Sequence, residues 1–290
     1  MPIIDLKDVS KLYGFGDATT VALDEVSLSV ERGEFVAVMG PSGSGKSTLM
    51  NLIGLLDRPT HGEYMLSGRS VARLRPNQRS KVRRDKIGFI FQSFNLIPRL
   101  SAIENVALPL AYRGTSQGRR LKQASVLLER VGLQHREYYQ PHQLSGGQTQ
   151  QVAIARALIA NPDIIIADEP TGNLDSASSR LVMELLSEIH GSGHTIIMVT
   201  HNPELTRYAN RVVYMQDGII VHDEVTEVGE VPARARRLIY DLPKTTTEED
   251  DLAGVSALMT AIPAKDPKPK KKPVKRKKRS TTSKSRSKKS

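Results

Sequence analysis

FVAVMGPSGSGKSTLMNLIGLL, residues 35–56, joins three local signals in one run. FVAVM is a continuous apolar stretch of strand length. GPSGSGKS is a glycine-rich turn ending on a lysine and a serine, and TLMNLIGLL reads as a helix. A strand running into this turn and a helix leaving it are the setting in which the G-x-x-x-x-G-K-[ST] pattern binds phosphate. The glycines let backbone N–H groups point inward at phosphate oxygens, and the helix N-terminus adds positive potential. Lys46 can reach the β- and γ-phosphates, and Ser47 offers its hydroxyl to Mg²⁺. A glycine-rich turn with a chance lysine is the alternative, and it explains neither flank.

Outward from this run the chain alternates strand and helix patterns. Upstream, IIDLKDVSKLY (3–13) and VALDEVSLSV (21–30) read as strands, the second with clean alternation at 26, 28 and 30. Downstream, RPTHGEYMLSG (58–68) is a turn and a strand, RSVARLRPNQRSKVRRD (69–85) is polar, basic surface, and KIGFIFQ (86–92) is a strand. Residues 102–131 turn helical with a break near YRGTSQG (112–118), and HQLSGGQTQQVAIARALIA (142–160) supplies a further helix. DIIIAD, HTIIMVT and RVVYMQDG then read as strands, separated by SASSRLVMELLSEIHGSG and the short NPELTRYA. This alternation over 163–218 predicts an α/β fold with a mostly parallel sheet, into which residues 100–160 insert as a helical block.

Polar groups fall just past several apolar strands, the edge where an open sheet binds ligands. Asp168 ends IIIAD and is placed to hold Mg²⁺ through water. Glu169 beside it is placed to polarise an attacking water as a general base. Two adjacent carboxylates could instead be caps or a local ion pair. Gln92 ends KIGFIFQ and fits three roles: a touch on Mg²⁺, a touch on the lytic water, or a turn cap. His201 follows TIIMVT and could bond the γ-phosphate; taken alone it reads as structural. Taken together, these polar groups converge on the strand ends beside the phosphate loop.

Charge is distributed unevenly. Of 42 Lys and Arg and 31 Asp and Glu, residues 265–290 hold 14 and 1, which leaves 28 against 30 in the rest. The folded part therefore has no cationic character, and any case for nucleic acid or lipid rests on the tail. There is no Cys, which excludes disulfides and thiolate metal sites. No apolar run approaches the roughly 20 residues of a membrane-spanning helix, and the N-terminus lacks a signal-peptide pattern, so a soluble chain is expected. VPARARRLIYDLP (231–243) reads as a short helix, TTTEEDD (245–251) as an acidic linker, and the Pro-, Lys- and Ser-rich stretch from 262 as disordered.

With these residues in view, the chain resembles the ATP-binding subunit of an ABC transporter over roughly residues 3–225. GPSGSGKST is similar to the family's Walker A, contributing Gly40, Ser42, Gly43, Ser44, Gly45, Lys46, Ser47 and Thr48 to the nucleotide. IIIADEP is similar to its Walker B, Gln92 to its Q-loop glutamine, GNLD ending at Asp175 to its D-loop, and His201 to its switch histidine. Tyr13, with Phe15 close by, falls where the family's aromatic stacks on adenine. The resemblance implies a P-loop fold of the ABC type, with an antiparallel β subdomain and an inserted helical subdomain beside the parallel core. It implies three segments: an ATP-binding domain over 1–225 with the helical subdomain at about 100–160, a linker over 226–261 with a short helix, and a disordered Lys/Arg-rich tail over 262–290.

The resemblance also accounts for LSGGQ (144–148), the family's signature motif. Two subunits pack head to tail, and Ser145, Gly146, Gly147 and Gln148 contact the γ-phosphate held by the partner. A serine hydroxyl and exposed glycine amides at a helix start make an anion site. ATP and Mg²⁺ are the implied cofactors, Ser47, Gln92 and Asp168 the implied metal contacts, and a homodimer the implied catalytic state. The family commonly carries Arg where this chain has Gln151, a missing charge expected to weaken an ion pair without disabling the site.

GLLDRPTHGEYMLSG (54–68), IGFIFQSFNLIPRLSAIENVALPL (87–110) and DEPTGNLDS (168–176) resemble the macrolide-export and lipoprotein-release branch, including the division-associated ATPases. The implied partner is a membrane permease on a separate chain. The implied outcome is export, lipoprotein or peptide release, or mechanotransmission, at the inner face of the cell membrane. Residues 93–106 resemble the permease contact, where Leu96, Ile97 and Leu100 are either docking anchors or local core. An ATP-gated structural or regulatory module of a division or envelope complex is the alternative, with a nucleic-acid-associated ATPase behind it. No heptad run and no second cassette supports the latter. For the tail, anionic lipid stands ahead of nucleic acid because the implied permease lies at a membrane, and a merely solubilising end is the third reading.

Overall fold

The computed structural model describes residues 1–14, 19–232 and 235. Its centre is a six-stranded sheet built from β3 (Phe35–Met39), β6 (Ile87–Phe91), β7 (Ile164–Asp168), β8 (Thr195–Val199), β9 (Arg211–Gln216) and β10 (Ile219–Val225), in the order β10-β9-β3-β8-β7-β6. Every neighbouring pair is parallel except β10, which lies antiparallel on β9 at one edge. A second sheet, β2-β1-β4-β5, is antiparallel throughout and comprises β1 (Ile4–Tyr13), β2 (Thr20–Val30), β4 (His61–Leu66) and β5 (Arg69–Ser70).

The continuous apolar runs of β3 and β8 are explained by burial on both faces, the usual state of a parallel strand covered on each side. Alternate residues separate into two cores. Val36, Val38, Ile164, Ile166, Ile197 and Val199 meet α1 (Lys46–Ile53) and the antiparallel sheet. Phe35, Ala37, Met39, Ile165 and Met198 meet α5 (Gly146–Leu158) and α6 (Ser176–Gly191) on the other face. A third core joins α3 (Ala102–Tyr112), α4 (Gln117–Arg130) and α5 through Ile103, Val106, Leu128, Val152 and Ala155. The α/β architecture with its antiparallel sheet and helical insertion is thus present as expected.

Two elements depart from the sequence reading. Residues 76–86, expected only as polar surface, form α2 (Pro76–Lys86), a helix with no buried residue. No apolar stripe announces it; proline in its first turn and the reciprocal Arg75–Gln78 contacts start it instead. The strand β10 also has no sequence pattern to announce it, because IIVHDEV carries charge and its residues are exposed or half-buried. Phe15, most of the 231–243 stretch, the acidic linker and the basic tail lie outside the described residues. No helix among the described residues is long and apolar enough to cross a membrane.

Candidate functional site

The parallel register brings the strand ends together. Phe91 pairs with Asp168, Asp168 with Val199 and Val199 with Val38. The residues that follow this row are Gln92, Glu169, Thr200–His201 and the loop beginning at Gly40. Gln92, Asp168, Glu169 and His201 therefore stand at one sheet edge because the strands before them are in register, and the loop after β3 brings Lys46 to the same edge.

The loop after β3 admits only glycine at two points. A Cβ on Gly40 would lie 2.1 Å from the Met215 carbonyl oxygen and 2.7 Å from Ser44 Oγ. One on Gly45 (φ +97°) would lie 2.8 Å from the Ala22 carbonyl oxygen. Gly45 is also the N-cap of α1 and supplies no side-chain cap, so the first-turn N–H groups are left for a ligand. Lys46 Nζ donates to the carbonyls of Gly40 (2.8 Å) and Pro41 (2.6 Å), which folds it back over the loop. Burial pushes its pKa down, and the nearby Glu169 and Asp168 carboxylates oppose that shift. Ser42 and Ser47 are exposed, Ser44 is buried, and Thr48 is half-buried.

Across from the lysine, the Asp168 carboxyl is raised above its ordinary pKa by burial and by neighbouring Glu169, with Lys46 pulling the other way. Glu169 adopts a left-handed backbone (φ +44°), a conformation that costs energy in a non-glycine residue and is often found at functional sites. Its N–H donates to Val199 O (2.9 Å), anchoring the turn to β8. Glu169 Oε1 accepts from the His201 backbone N–H (2.9 Å) and from His201 Nδ1 (2.6 Å), while Oε2 accepts from Thr200 Oγ1 (3.2 Å). His201 is itself exposed while Glu169 is largely buried, so the pair meets solvent on the histidine side only.

Gln92 is tied to the GNLD turn. Its amide donates to Asn173 Oδ1 (3.4 Å), and Asn173 Nδ2 donates back to Gln92 O (3.1 Å). A Cβ on Gly172 would come within 2.7 Å of Gln92 Nε2, so the glycine permits this close approach. Asp175 caps α6, accepting from Ala177 N, Ser178 N (both 3.0 Å) and Ser178 Oγ (2.7 Å).

The LSGGQ turn is not joined to the phosphate loop by any hydrogen bond among the described residues. Ser145 is the N-cap of α5, where its Oγ accepts from Gln148 N (3.2 Å) and its N–H donates to Gln148 Oε1 (3.0 Å). The hydroxyl hydrogen stays free to donate. Gly146 faces Leu174, and a Cβ on Gly147 would strike Ser178, so both glycines allow α5 to sit against the start of α6. Gln151, where a charge was expected, donates its amide to Val131 O (2.8 Å) at the C-terminal end of α4.

Sequence reasoning missed three positioning groups. Gln150 is fully buried and donates to Pro170 O (2.7 Å), linking the signature helix to the turn after Glu169. Arg156, deeper along the same helix, holds the carbonyls of Phe94 (2.8 Å) and Asn95, two successive left-handed residues (φ +60° and +50°) in the loop after Gln92. Lys11 is buried against Asp57 (2.8 Å). Each depends on a partner distant in sequence, so local pattern carries no signal for it.

A groove of about 700 Å³ opens between β6 and the helical block, lined by Arg84, Phe89, Phe91, Leu108, Pro109 and Arg156 among others.

The residues fit a nucleotide with a hard divalent cation. The loop is a cradle that a Cβ would fill, and the donors beside it, Ser47, Gln92 and Asp168, all present oxygen. The family model for ABC transporters matches residues 23–172. The chain is 51% identical over 222 residues to the macrolide export ATP-binding/permease protein MacB of Hyphomonas neptunium, covering 77% of this chain and 34% of that protein. It is 53% identical over 219 residues to an ABC transporter ATP-binding protein of Methanocaldococcus jannaschii, covering 76% of this chain and 98% of that one. A solved dimeric ATP-binding cassette, in a post-hydrolysis state with ADP and Pi, superposes with a TM-score of 0.71 at 45% identity, covering 77% of this chain and 98% of that one. The chain thus spans about a third of the length of its macrolide-exporter relative.

Proposed function

The chain belongs to the ABC transporter family, and from that premise we propose that it is an ATP-hydrolysing subunit that closes on ATP as a head-to-tail homodimer and drives a permease carried on a separate chain. The observation that carries this reading is the separation of two half-sites. The in-register strand ends gather Lys46, Gln92, Asp168, Glu169 and His201, while Ser145, Gly146 and Gly147 sit at the start of a helix with no hydrogen bond to that loop. A second copy supplies the missing half to each.

In this reading the loop N–H groups and Lys46 grip the triphosphate, with Tyr13 against the base and Ser42, Gly43, Ser44, Gly45 and Thr48 shaping the cradle. Ser47, Gln92 and Asp168 hold Mg²⁺, which supplies charge neutralisation at the phosphates when bound. Glu169 takes the proton of the attacking water. His201, donating to Glu169, orients that carboxylate and faces the γ-phosphate. Gln148 completes the cap that shapes the anion site at Ser145, and Asp175 fixes the helix against which Gly147 packs. The groove beside Phe89 and Leu108, to which the 93–106 segment contributes Asn95, takes a short permease helix. Residues 1–225 act as the ATP-binding domain, 226–261 as a linker and 262–290 as a basic tail at the anionic inner face of the membrane. Export or release is the outcome that suits the likeness to MacB; the permease chooses the substrate.

Turnover measured against protein concentration tests the composite site. A rate that rises faster than linearly, with a larger species in ATP-Mg²⁺, is expected. Linear turnover by a monomer would sink it. A dimer that turns over ATP yet fails to be stimulated by a co-expressed, co-purified permease would turn the assignment toward an ATP-gated structural module.

A further inference from the structure

We propose that Lys11 and Asp57 form a strut that fixes the Tyr13 ring as the platform for the purine base, so that they set nucleotide affinity without touching phosphate. This rests on the reading of Tyr13 given above.

Lys11 is only 8% exposed, and an ammonium so buried requires partners. It has two: Asp57 Oδ2 at 2.8 Å and the Arg58 carbonyl at 3.0 Å. The same Oδ2 accepts the Tyr13 hydroxyl at 3.0 Å, and Oδ1 accepts the Arg58 N–H at 2.7 Å. The Lys11 ammonium also stands 4.8 Å from the centroid of the Tyr13 ring, within the range of a cation–π contact. Asp57 is therefore a node with every oxygen used. Burial pushes its pKa up, but the hydrogen bonds from Lys11, the Arg58 N–H and Tyr13 outweigh this and hold it below the ordinary carboxylate value.

Position gives the node its role. Lys11 and Tyr13 lie on β1, and Asp57 lies in the turn after α1, the helix that begins at the phosphate loop. The strut thus ties the tip of a hairpin to the element that grips phosphate, while leaving Tyr13 43% exposed for a flat ligand. An untethered tyrosine at a strand end would have to be ordered on binding, at a cost in affinity.

The test uses the full chain and competition against a fluorescent methylanthraniloyl-ATP, alongside KM and kcat. Asp57→Ala and Tyr13→Phe should each weaken ATP binding about threefold to tenfold, the range expected for one lost hydrogen bond of ordinary net worth. Lys11→Met should follow Asp57→Ala. The Asp57→Ala/Tyr13→Phe double variant should bind no more weakly than the worse single, because both remove one shared contact. Affinity for inorganic tripolyphosphate, which has no base, should not change. Asp57→Asn preserves volume and an acceptor, and serves if the alanine variant fails to fold. The strut falls if Tyr13→Ala weakens ATP more than about tenfold while Asp57→Ala and Tyr13→Phe stay within twofold. It also falls if tripolyphosphate affinity drops in step with ATP, which would mark a merely structural tie. If Tyr13→Ala leaves ATP binding unaltered, the platform reading of Tyr13 itself fails, and the strut with it.

Discussion

Glu169→Gln separates what the carboxylate does for the fold from what it does for chemistry. In the structure Glu169 accepts three hydrogen bonds: two from His201 onto Oε1 and one from Thr200 Oγ1 onto Oε2. Glutamine can keep its oxygen toward His201. Its amide then faces Thr200 Oγ1, which already accepts from Asn202 N (3.0 Å) and has a second lone pair to offer. All three contacts survive, each weakened from charge-assisted to neutral by about 1 kcal/mol. Against that, a side chain only 16% exposed no longer carries a buried charge. The net change in stability should stay within about 2 kcal/mol. Loss of a general base costs about 10²- to 10⁴-fold in rate. Phosphate release under saturating Mg-ATP and urea unfolding in the same buffer therefore diverge: a near-native midpoint beside turnover reduced at least about a hundredfold. Size in Mg-ATP should show the variant held as a dimer. Turnover within about fivefold of wild type would remove Glu169 from the role of base, whatever the unfolding curve shows.

Other perturbations follow from the local geometry. Gly40→Ala sets a Cβ against backbone at 2.1 Å, whereas Gly43→Ala meets nothing within 4 Å and bears only the left-handed φ of +81°. The first should cost about 3 kcal/mol and abolish nucleotide binding, the second about 1–2 kcal/mol, as read by thermal unfolding and nucleotide titration. Gln150 donates to Pro170 O, yet its own Oε1 has no partner among the described residues. Gln150→Leu should therefore alter stability by under about 1 kcal/mol while Gln150→Ala, which opens a cavity, costs about 2–3; equal losses in urea unfolding would contradict this. At the start of α3, the Ser101 N–H and hydroxyl hold the Glu104 carboxyl below its ordinary pKa of 4.5. A folded-state pKa below the unfolded one gives stability that is complete above that ordinary value and lost as pH falls through the depressed one. Ser101→Ala should cost about 1 kcal/mol near neutral pH and flatten the acid limb of the stability profile.

Where the sequence carried a strong local pattern, the structure followed it. FVAVM and IIIAD read as buried strands because apolar side chains on both faces need cover from both sides, and that same demand fixes the parallel sheet. The polar residues after the strands lie together because register, once set, aligns the ends. α2 escaped because a helix polar all round has no stripe to read, and β10 because its edge position tolerates charge. Buried polar ties escaped for another reason. Lys11–Asp57 and Gln150–Pro170 span 46 and 20 positions, and only the folded chain shows which polar residue is inside. Asp175, expected at the nucleotide, caps α6 with both oxygens, and Oδ2, which accepts only Ser178 Oγ, keeps a lone pair open to solvent.

The signature helix bears its Ser-Gly-Gly turn at one end and Arg156 near the other. At about 1.5 Å per residue these lie roughly 15 Å apart on one rigid rod. Arg156 clasps two carbonyls of a loop whose backbone at Phe94 and Asn95 is held in an uncommon conformation. The rod is therefore a lever with a pawl at its far end. A tilt of about 5° at the Ser145 end moves the guanidinium about 1.3 Å, enough to lengthen a hydrogen bond past its useful range. A displacement of one end of the rod is thus felt at the other as slack or tension in the loop that borders the groove.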